Sequence, residues 1–441
     1  MCHCQQKSNK AQELGQALQQ FVSPLLEELD RRVDRRLVKT FLLTLQAIIT
    51  FRHTQYGLLL SELGGYLLSP DKAPAGTKRI SNLLRSTQWT YHLIEQFFWQ
   101  QANEKLEALE AEDEIALAVW DESVVEKPES IELEGLCPVR SSKSARLKRI
   151  KKGYFNPPGG RPVFVPGMQW LSVMVLGMSG PPVLAAMHWW TSRGKFASTR
   201  HDEWIAFMGR CAQAWRQRVI HVWDRGFAAS SWLGQALDHD LRFIVRWKKA
   251  QHLVDGKGKR NAWKITRGKR SLGYRYIWDA RRQCKRKTGI FFVPVRHPDF
   301  DAPLTLVVSR PGKGRSPWYL LTNDPVQTVE DAWTIVFAYA RRWQVEMAYR
   351  FSKTELAMES PRLWFWDNRL KLMLMVSLVY AFLLSLLTAG LDDLLAWLLR
   401  YWCHRTGKRH RDVSMPLYRL RSAISRFWLH HPFVFSFQTP G

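Results

Sequence analysis

Apolar residues recur along this chain with two different periods, and the change from one to the other divides it. Across 11–110 they return every three or four positions, with amphipathic runs at 35–50 and 89–110, which predicts a helical N-terminal domain over 1–112. Between those runs, 76–85 reads as a short basic helix with Thr77 as its cap. From 113 onward the pattern becomes short apolar runs. Residues 115–120 and 219–223 read as buried strands, each ending on an aspartate, Asp121 and Asp224. Residues 170–178 and 183–190 flank Ser179-Gly180-Pro181-Pro182 as a hairpin, a helix follows over 202–217, and another over 230–239 precedes a strand at 243–247. The order is β-β-β-α-β. Residues 249–316 hold short aromatic strands between basic turn-like clusters and read as a strand-rich insertion.

A long helical pattern follows Thr328, which with Asp331 forms an N-cap pair. On this helix Tyr339, Arg342, Glu346 and Lys353 fall within about 60° of arc, with Arg350 near the same line. They make a ridge roughly 21 Å long, a carboxylate flanked by cations and a phenol. A second stripe of Trp333, Phe337, Ala340, Met347 and Phe351, about 150° away, is placed to anchor the helix to a core. The same spacing also makes an ordinary helical ion pair of Arg342 and Glu346. Combined with the two strand-end aspartates, however, Glu346 completes a set of three carboxylates. Three such groups can hold two hard divalent cations about 3.5–4 Å apart for attack on a phosphodiester. Arg342, Arg350 and Lys353 are then placed to bind phosphate.

Tyr339, Arg342, Glu346 and Lys353 match, at every spacing, the Tyr-Arg-Glu-Lys signature of DDE transposases of the bacterial insertion-sequence (IS-four-like) group, and the chain resembles that group over roughly 113–390. Asp121 and Asp224 correspond to its first two acids. The resemblance implies an α/β fold: an RNase H-like catalytic core in two parts (113–248 and 327–392) and a β-rich insertion (249–326). Outside it, the helical 1–112 reads from its basic helix as a DNA-end-binding domain or as a structural lead-in, and 393–441 reads as a basic tail for target DNA or dimerisation. The resemblance also implies Asp121, Asp224 and Glu346 as catalytic and metal ligands, two Mg2+ ions (Mn2+ substituting), and DNA contacts from Tyr339, Arg342, Arg350 and Lys353. By position, Trp318 in Trp318-Tyr-Leu-Leu-Thr-Asn323 takes the role of stacking on a base flipped from the element end; on residue type alone it is equally a core tryptophan on a strand. The implied activity is cut-and-paste transposition through a hairpin. The partners are terminal inverted repeats and target DNA, and two protomers act together as a homodimer. A nuclease of the same fold without strand transfer, or a DNA-binding regulator whose acids are structural, would share parts of this pattern.

Charge changes the picture in one respect. The chain carries 65 Lys and Arg against 39 Asp and Glu, a net charge of +26, which favours a polyanionic partner. The excess is blocked: residues 135–201 contain eleven basic residues and no acid, including Lys143, Arg146, Lys148, Arg149, Lys151 and Lys152, and 242–315 contain 21 against four. DNA fits these blocks, as RNA or an anionic membrane would. The tail adds Arg405, Lys408, Arg409 and Arg411. The six cysteines (Cys2, Cys4, Cys137, Cys211, Cys284, Cys403) form no disulfide framework, and no signal-peptide pattern opens the chain, so the expectation is a reducing cytoplasm. Residues 372–391 are long and uncharged enough to span a bilayer, but Ser377, Tyr380, Ser385, Thr388 and Gly390 interrupt them, and a buried helix behind the sheet is expected instead of a membrane partner. Adjacent His201-Asp202-Glu203 read as helix N-terminal polar residues, not as metal ligands. No Gly-rich phosphate loop ending in Lys-Ser or Lys-Thr is present, so an ATP-driven mechanism has no support.

Overall fold

The computed structural model describes residues 3–130, 132–141, 164–279, 284–312, 314–403, 417–433 and 435. The basic positions 143, 146, 148, 149, 151 and 152, those at 405, 408, 409 and 411, and Cys2 lie outside them. Six helices open the chain: α1 (His3–Phe21), α2 (Ser23–Asp30), α3 (Arg35–Thr50), α4 (Leu60–Leu67), α5 (Ala73–Arg85) and α6 (His92–Ala111). Asp34 starts α3, its carboxylate accepting from the Arg36 and Leu37 amides at 2.8 and 3.1 Å. The cap expected at Thr77 is not there. α5 begins at Ala73, so Thr77 is interior, and its hydroxyl donates back to the Ala73 carbonyl at 2.8 Å and across to that of Leu60 at 3.0 Å. The early start brings Gly76 against α4, where a Cβ would collide with the Gly64 carbonyl.

The strands are β1 (Leu117–Glu126), β2 (Cys137–Arg140), β3 (Phe164–Leu176), β4 (Val183–Trp190), β5 (Ile220–Trp223), β6 (Arg242–Arg246), β7 (His252–Asp255), β8 (Gly258–Asn261), β9 (Gly273–Asp279), β10 (Cys284–His297), β11 (Phe300–Arg310) and β12 (Trp318–Thr322). They form one mixed sheet in the order β2-β3-β1-β5-β6-β12-β11-β10-β7-β8, with β4 on β3 and β9 on β10. β1, β5 and β6 run parallel, and the other pairings are antiparallel. The segment read as a strand-rich insertion continues the main sheet, since β12 pairs β6 with Leu320 opposite Arg246.

Alternation along β1 and β5 assigns the two faces. Leu117, Val119, Ile220 and Val222 join one apolar core, with α10 (Val329–Arg341), α11 (Trp343–Thr354) and α12 (Trp366–Ser385). Ala118, Trp120, Val219 and Trp223 join another, with α7 (Arg200–Trp215) and α8 (Ser230–Asp238). The first core also takes in α1 to α6, so the N-terminal helices pack on the sheet's own layer.

α12 has the length and hydropathy of a membrane span but is almost wholly buried among other helices. Its Lys371 closes the end of α5, donating to the Ser86 carbonyl at 2.7 Å and that of Leu84 at 3.1 Å. The region read as a basic tail contains α13 (Asp392–Tyr401) and α14 (Leu417–His430). Arg421 of α14 is buried and donates to the Phe51 carbonyl at the end of α3 at 2.6 Å, an arrangement that suits a cation to a helix C-terminus.

Polar contacts also clamp the layers. His188 on β4 donates to Glu203 of α7 at 2.7 Å and faces Glu95 of α6 at 3.5 Å, and Glu95 in turn binds His92 at 2.7 Å. Burial alone would lower the His188 pKa, but the bonds from Glu203 and Glu95 outweigh it and raise it from the ordinary 6.5 to about 9. Protonated His188 therefore stabilises the fold fully below pH 6.5, and that contribution is lost as pH rises through about 9. Denaturant titrations should show wild type losing on the order of 2 kcal/mol across this window. His188→Gln should start lower and vary less with pH. Parallel pH profiles for the two proteins would contradict the clamp.

Candidate active site

Beta alternation sends Asp121 and Glu122 to opposite sides of the sheet. Glu122 turns to the α7 face, where its carboxylate accepts from Arg200 Nε at 2.8 Å and from Trp204 Nε1. Asp121 turns to the α11 face. It does not end its strand: β1 runs on to Glu126 and stays paired with β3 throughout. What ends is the pairing with β5, whose last partner pair is Val119 with Val222. Asp121 and Asp224 each lie two residues beyond that pair (121 − 119 and 224 − 222), at matching levels where the strands part. Asp224 opens a tight turn, its Oδ1 accepting from the Gly226 amide at 2.6 Å.

The long helix expected over the signature residues is broken at Arg342. α10 begins at the expected Thr328–Asp331 capping box and stops at Arg341, and α11 starts at Trp343. The expected anchoring stripe holds in part, with Trp333 and Phe351 buried and Phe337 packed against the core. Met347 is 43% exposed and Ala340 is exposed, while Val345, Ala348 and Tyr349 pack inward. Tyr349 fixes the site's floor, its hydroxyl donating to the Asp121 carbonyl oxygen at 2.5 Å.

Arg342 sits at the centre. Its Nη1 donates to Asp121 Oδ2 at 3.0 Å and its Nη2 to Glu346 Oε1, so the guanidinium joins the strand carboxylate to the helix carboxylate. The Arg342 side chain is 12% exposed and that of Asp121 16%. Burial raises the Asp121 pKa to about 7, against the pull of Arg342 and the Glu122 amide, and the negative charges of Asp224 and Glu346 add to the rise. Asp121 thus feels the charge of both other acids, although Asp224 has no direct bond to it. Burial also raises the Tyr339 hydroxyl, with Arg342 and Arg246 opposing.

Tyr339 continues the site sideways. The Arg342 guanidinium lies 5.9 Å from its ring, and Trp318 meets that ring edge-on at 5.1 Å. Arg246, whose guanidinium is 5.9 Å from the Trp318 ring, was not singled out in the sequence. It shares the face of Ile244 two residues earlier, which is the signal that would have found it. Lys353 donates to Ser123 Oγ at 2.8 Å and lies 4.0 Å from Glu359, further along the same face of β1. Arg350 is exposed on α11, one turn beyond Glu346.

Two openings adjoin this centre. One, of about 470 Å³, is bounded by Trp278, Asp279, Arg286, Arg315, Trp318 and Trp343. The other, of about 730 Å³, is lined by Arg225, Arg246, Lys248, Lys249, Trp263 and Tyr319 among others, and no carboxylate lines it.

The donors at the centre are carboxylate oxygens, which suit hard cations such as Mg2+ or Mn2+. Among the described residues no three His, Cys, Asp or Glu side chains are grouped to hold a metal ion; the guanidinium occupies the space between Asp121 and Glu346. Cation binding by this set requires Arg342 to withdraw from at least one carboxylate.

No protein-family model matches the sequence. Among solved structures, the chain is similar to a piggyBac transposase in a cryo-EM synaptic complex with hairpin DNA, at 14% identity and a TM-score of 0.40, over 93% of this chain and 78% of that one. A likeness of that order bears on neither the fold nor the site.

Removing Arg342 leaves Asp121 and Glu346 without their shared partner. Arg342→Ala should lower unfolding free energy by about 1–3 kcal/mol, and millimolar Mg2+ should restore more stability to the variant than it adds to wild type. Equal responses to Mg2+ in denaturant titrations would show that guanidinium and cation do not compete.

Proposed function

We propose that the chain is a metal-dependent DNA transposase with an RNase H-like catalytic core. What supports this reading is the Arg342 bridge between Asp121 and Glu346 where β1 and β5 part, with Asp224 near enough to act on the Asp121 charge, beside an opening lined by cations and no acid. Divalent cations held by these three carboxylates would supply an activated water or 3′-hydroxyl and stabilise the leaving oxygen of an in-line displacement.

The chain's own residues do the remaining work. Asp121, on a strand pinned by Tyr349, holds a fixed position. Glu346, on the helix that Tyr349 and Lys353 tie to the same strand, faces Asp121 across Arg342. Arg342, released from the carboxylates, turns its fork to the scissile phosphate, a geometry that guanidinium matches well. Arg225, Arg246, Lys248 and Lys249 hold the flanking backbone, with the salt dependence such contacts bring. Trp318, at the mouth of the 470 Å³ opening, offers a ring to a base extruded when a hairpin forms. The exposed Lys78, Arg79, Asn82 and Arg85 on α5, backed by α4, suit a helix that reads an element end in the major groove. Two ends require two protomers, so the working form is a homodimer on terminal inverted repeats and target DNA, acting in the cytoplasm.

Nicking of DNA carrying the native element ends, with Mg2+ or Mn2+, tests this reading. Asp121→Asn, Asp224→Asn and Glu346→Gln should each lose at least roughly 10³-fold in rate while keeping end binding. Retention of near wild-type nicking by any of the three would overturn the assignment. Trp318→Ala should spare the first nick and depress hairpin formation; equal loss of both steps would return Trp318 to a purely structural role.

A further inference from the structure

The edge strand β9 carries Tyr274, Tyr276 and Trp278 on one face, and they are 57, 69 and 55% exposed. Edge strands are usually blunted with charge or covered, so three large rings in a row need an explanation. The intervening Arg275 and Ile277 point the other way, Arg275 toward Trp333 of α10 at 5.5 Å. The packing of the hairpin therefore does not use the outward rings.

The partner strand completes the face. Lys285 lies opposite Trp278, Lys287 opposite Tyr276 and Gly289 opposite Tyr274. Both lysines are exposed, and Lys287 Nζ lies 4.6 Å from the centre of the Tyr274 ring. A Cβ at Gly289 would collide with the Ser271 side chain and stand 3.1 Å from Cε1 of Tyr274, so the glycine keeps this part of the hairpin open to both. Among the described residues no carboxylate occupies this face. The one aspartate of β9, Asp279, is buried and bound by Arg315 and Arg286.

We infer that this face of the β9–β10 hairpin binds a single strand of DNA, its rings stacking on bases and its lysines meeting phosphates. Rings two residues apart on a strand are separated by about 6.8 Å, twice the 3.4 Å base spacing within a duplex strand. They therefore match bases pulled out of their stack and not those of an intact helix. Trp278 also borders the opening that contains Trp318, so a strand peeled from a cleaved end would run from the centre onto this face. The inference rests on the transposase reading for its context, but it is testable without catalysis.

Fluorescence anisotropy with labelled single-stranded and duplex oligonucleotides of one sequence, without divalent metal, decides it. A Tyr274→Ala/Tyr276→Ala/Trp278→Ala variant should lose at least about tenfold in single-strand affinity and less than about threefold on duplex. Lys285→Ala/Lys287→Ala should lower the single-strand salt slope by about 1.4, or roughly 0.7 per phosphate contact. Circular dichroism and thermal melts of both variants should match wild type, as expected for exposed side chains. Unchanged single-strand binding, equal losses on both substrates, or a wild-type dimer that the triple substitution dissociates would overturn the inference. Because the assay reads equilibrium binding alone, those failures leave the nicking result standing, and a wild type that binds single strands but never nicks would sink only the catalytic reading.

Discussion

The bridge from Asp121 through Arg342 to Glu346 is the contact on which the organisation of the centre depends. Buried carboxylates are costly unless paired, and here one guanidinium serves two of them. The cost is not fully offset, because Asp121 still prefers a proton up to about pH 7. A site left in that condition has free energy to gain from further positive charge. Phosphate-bound cations would supply such charge, while the displaced guanidinium would itself gain a phosphate partner.

Two structural choices make the bridge possible. β1 remains paired with β3 while parting from β5, so Asp121 has a rigid backbone on one side and open space on the other. The helix is interrupted at the arginine itself, and from that point Arg342 reaches Asp121 on the strand and Glu346 one turn on. Behind them, α12 and the N-terminal helices form a thick apolar layer. Buried Lys371 and Arg421 end helices α5 and α3 there, so the layer's own charges serve structure.

Much of this was legible from residue patterns, and the rest was hidden for definable reasons. The apolar runs before Asp121 and Asp224, the capping box at Thr328 and the Arg342–Glu346 spacing all mark local features, and local features survive in sequence. The continuation of β1 beyond Asp121 was not visible, because residues 122–126 face a helix on one side and the site on the other and show no apolar run. The helix break has no Pro or Gly to announce it. Continuity of the sheet through β6 and β12 is a long-range pairing that periodicity cannot report. Tyr349 and Arg246 matter through partners more than seventy residues away in the chain; strand alternation gives the face on which Arg246 lies but not the ring it meets.

The central claim is that the three carboxylates form a site for divalent cations that competes with Arg342. A crystal structure of the protein with Mn2+ and a DNA end, phased on the manganese anomalous signal, tests it most directly. The account predicts manganese peaks bounded by Asp121, Asp224 and Glu346, with the Arg342 guanidinium moved from the carboxylates to a phosphate. Manganese bound elsewhere, with the Arg342 bridge intact beside bound DNA, would contradict it.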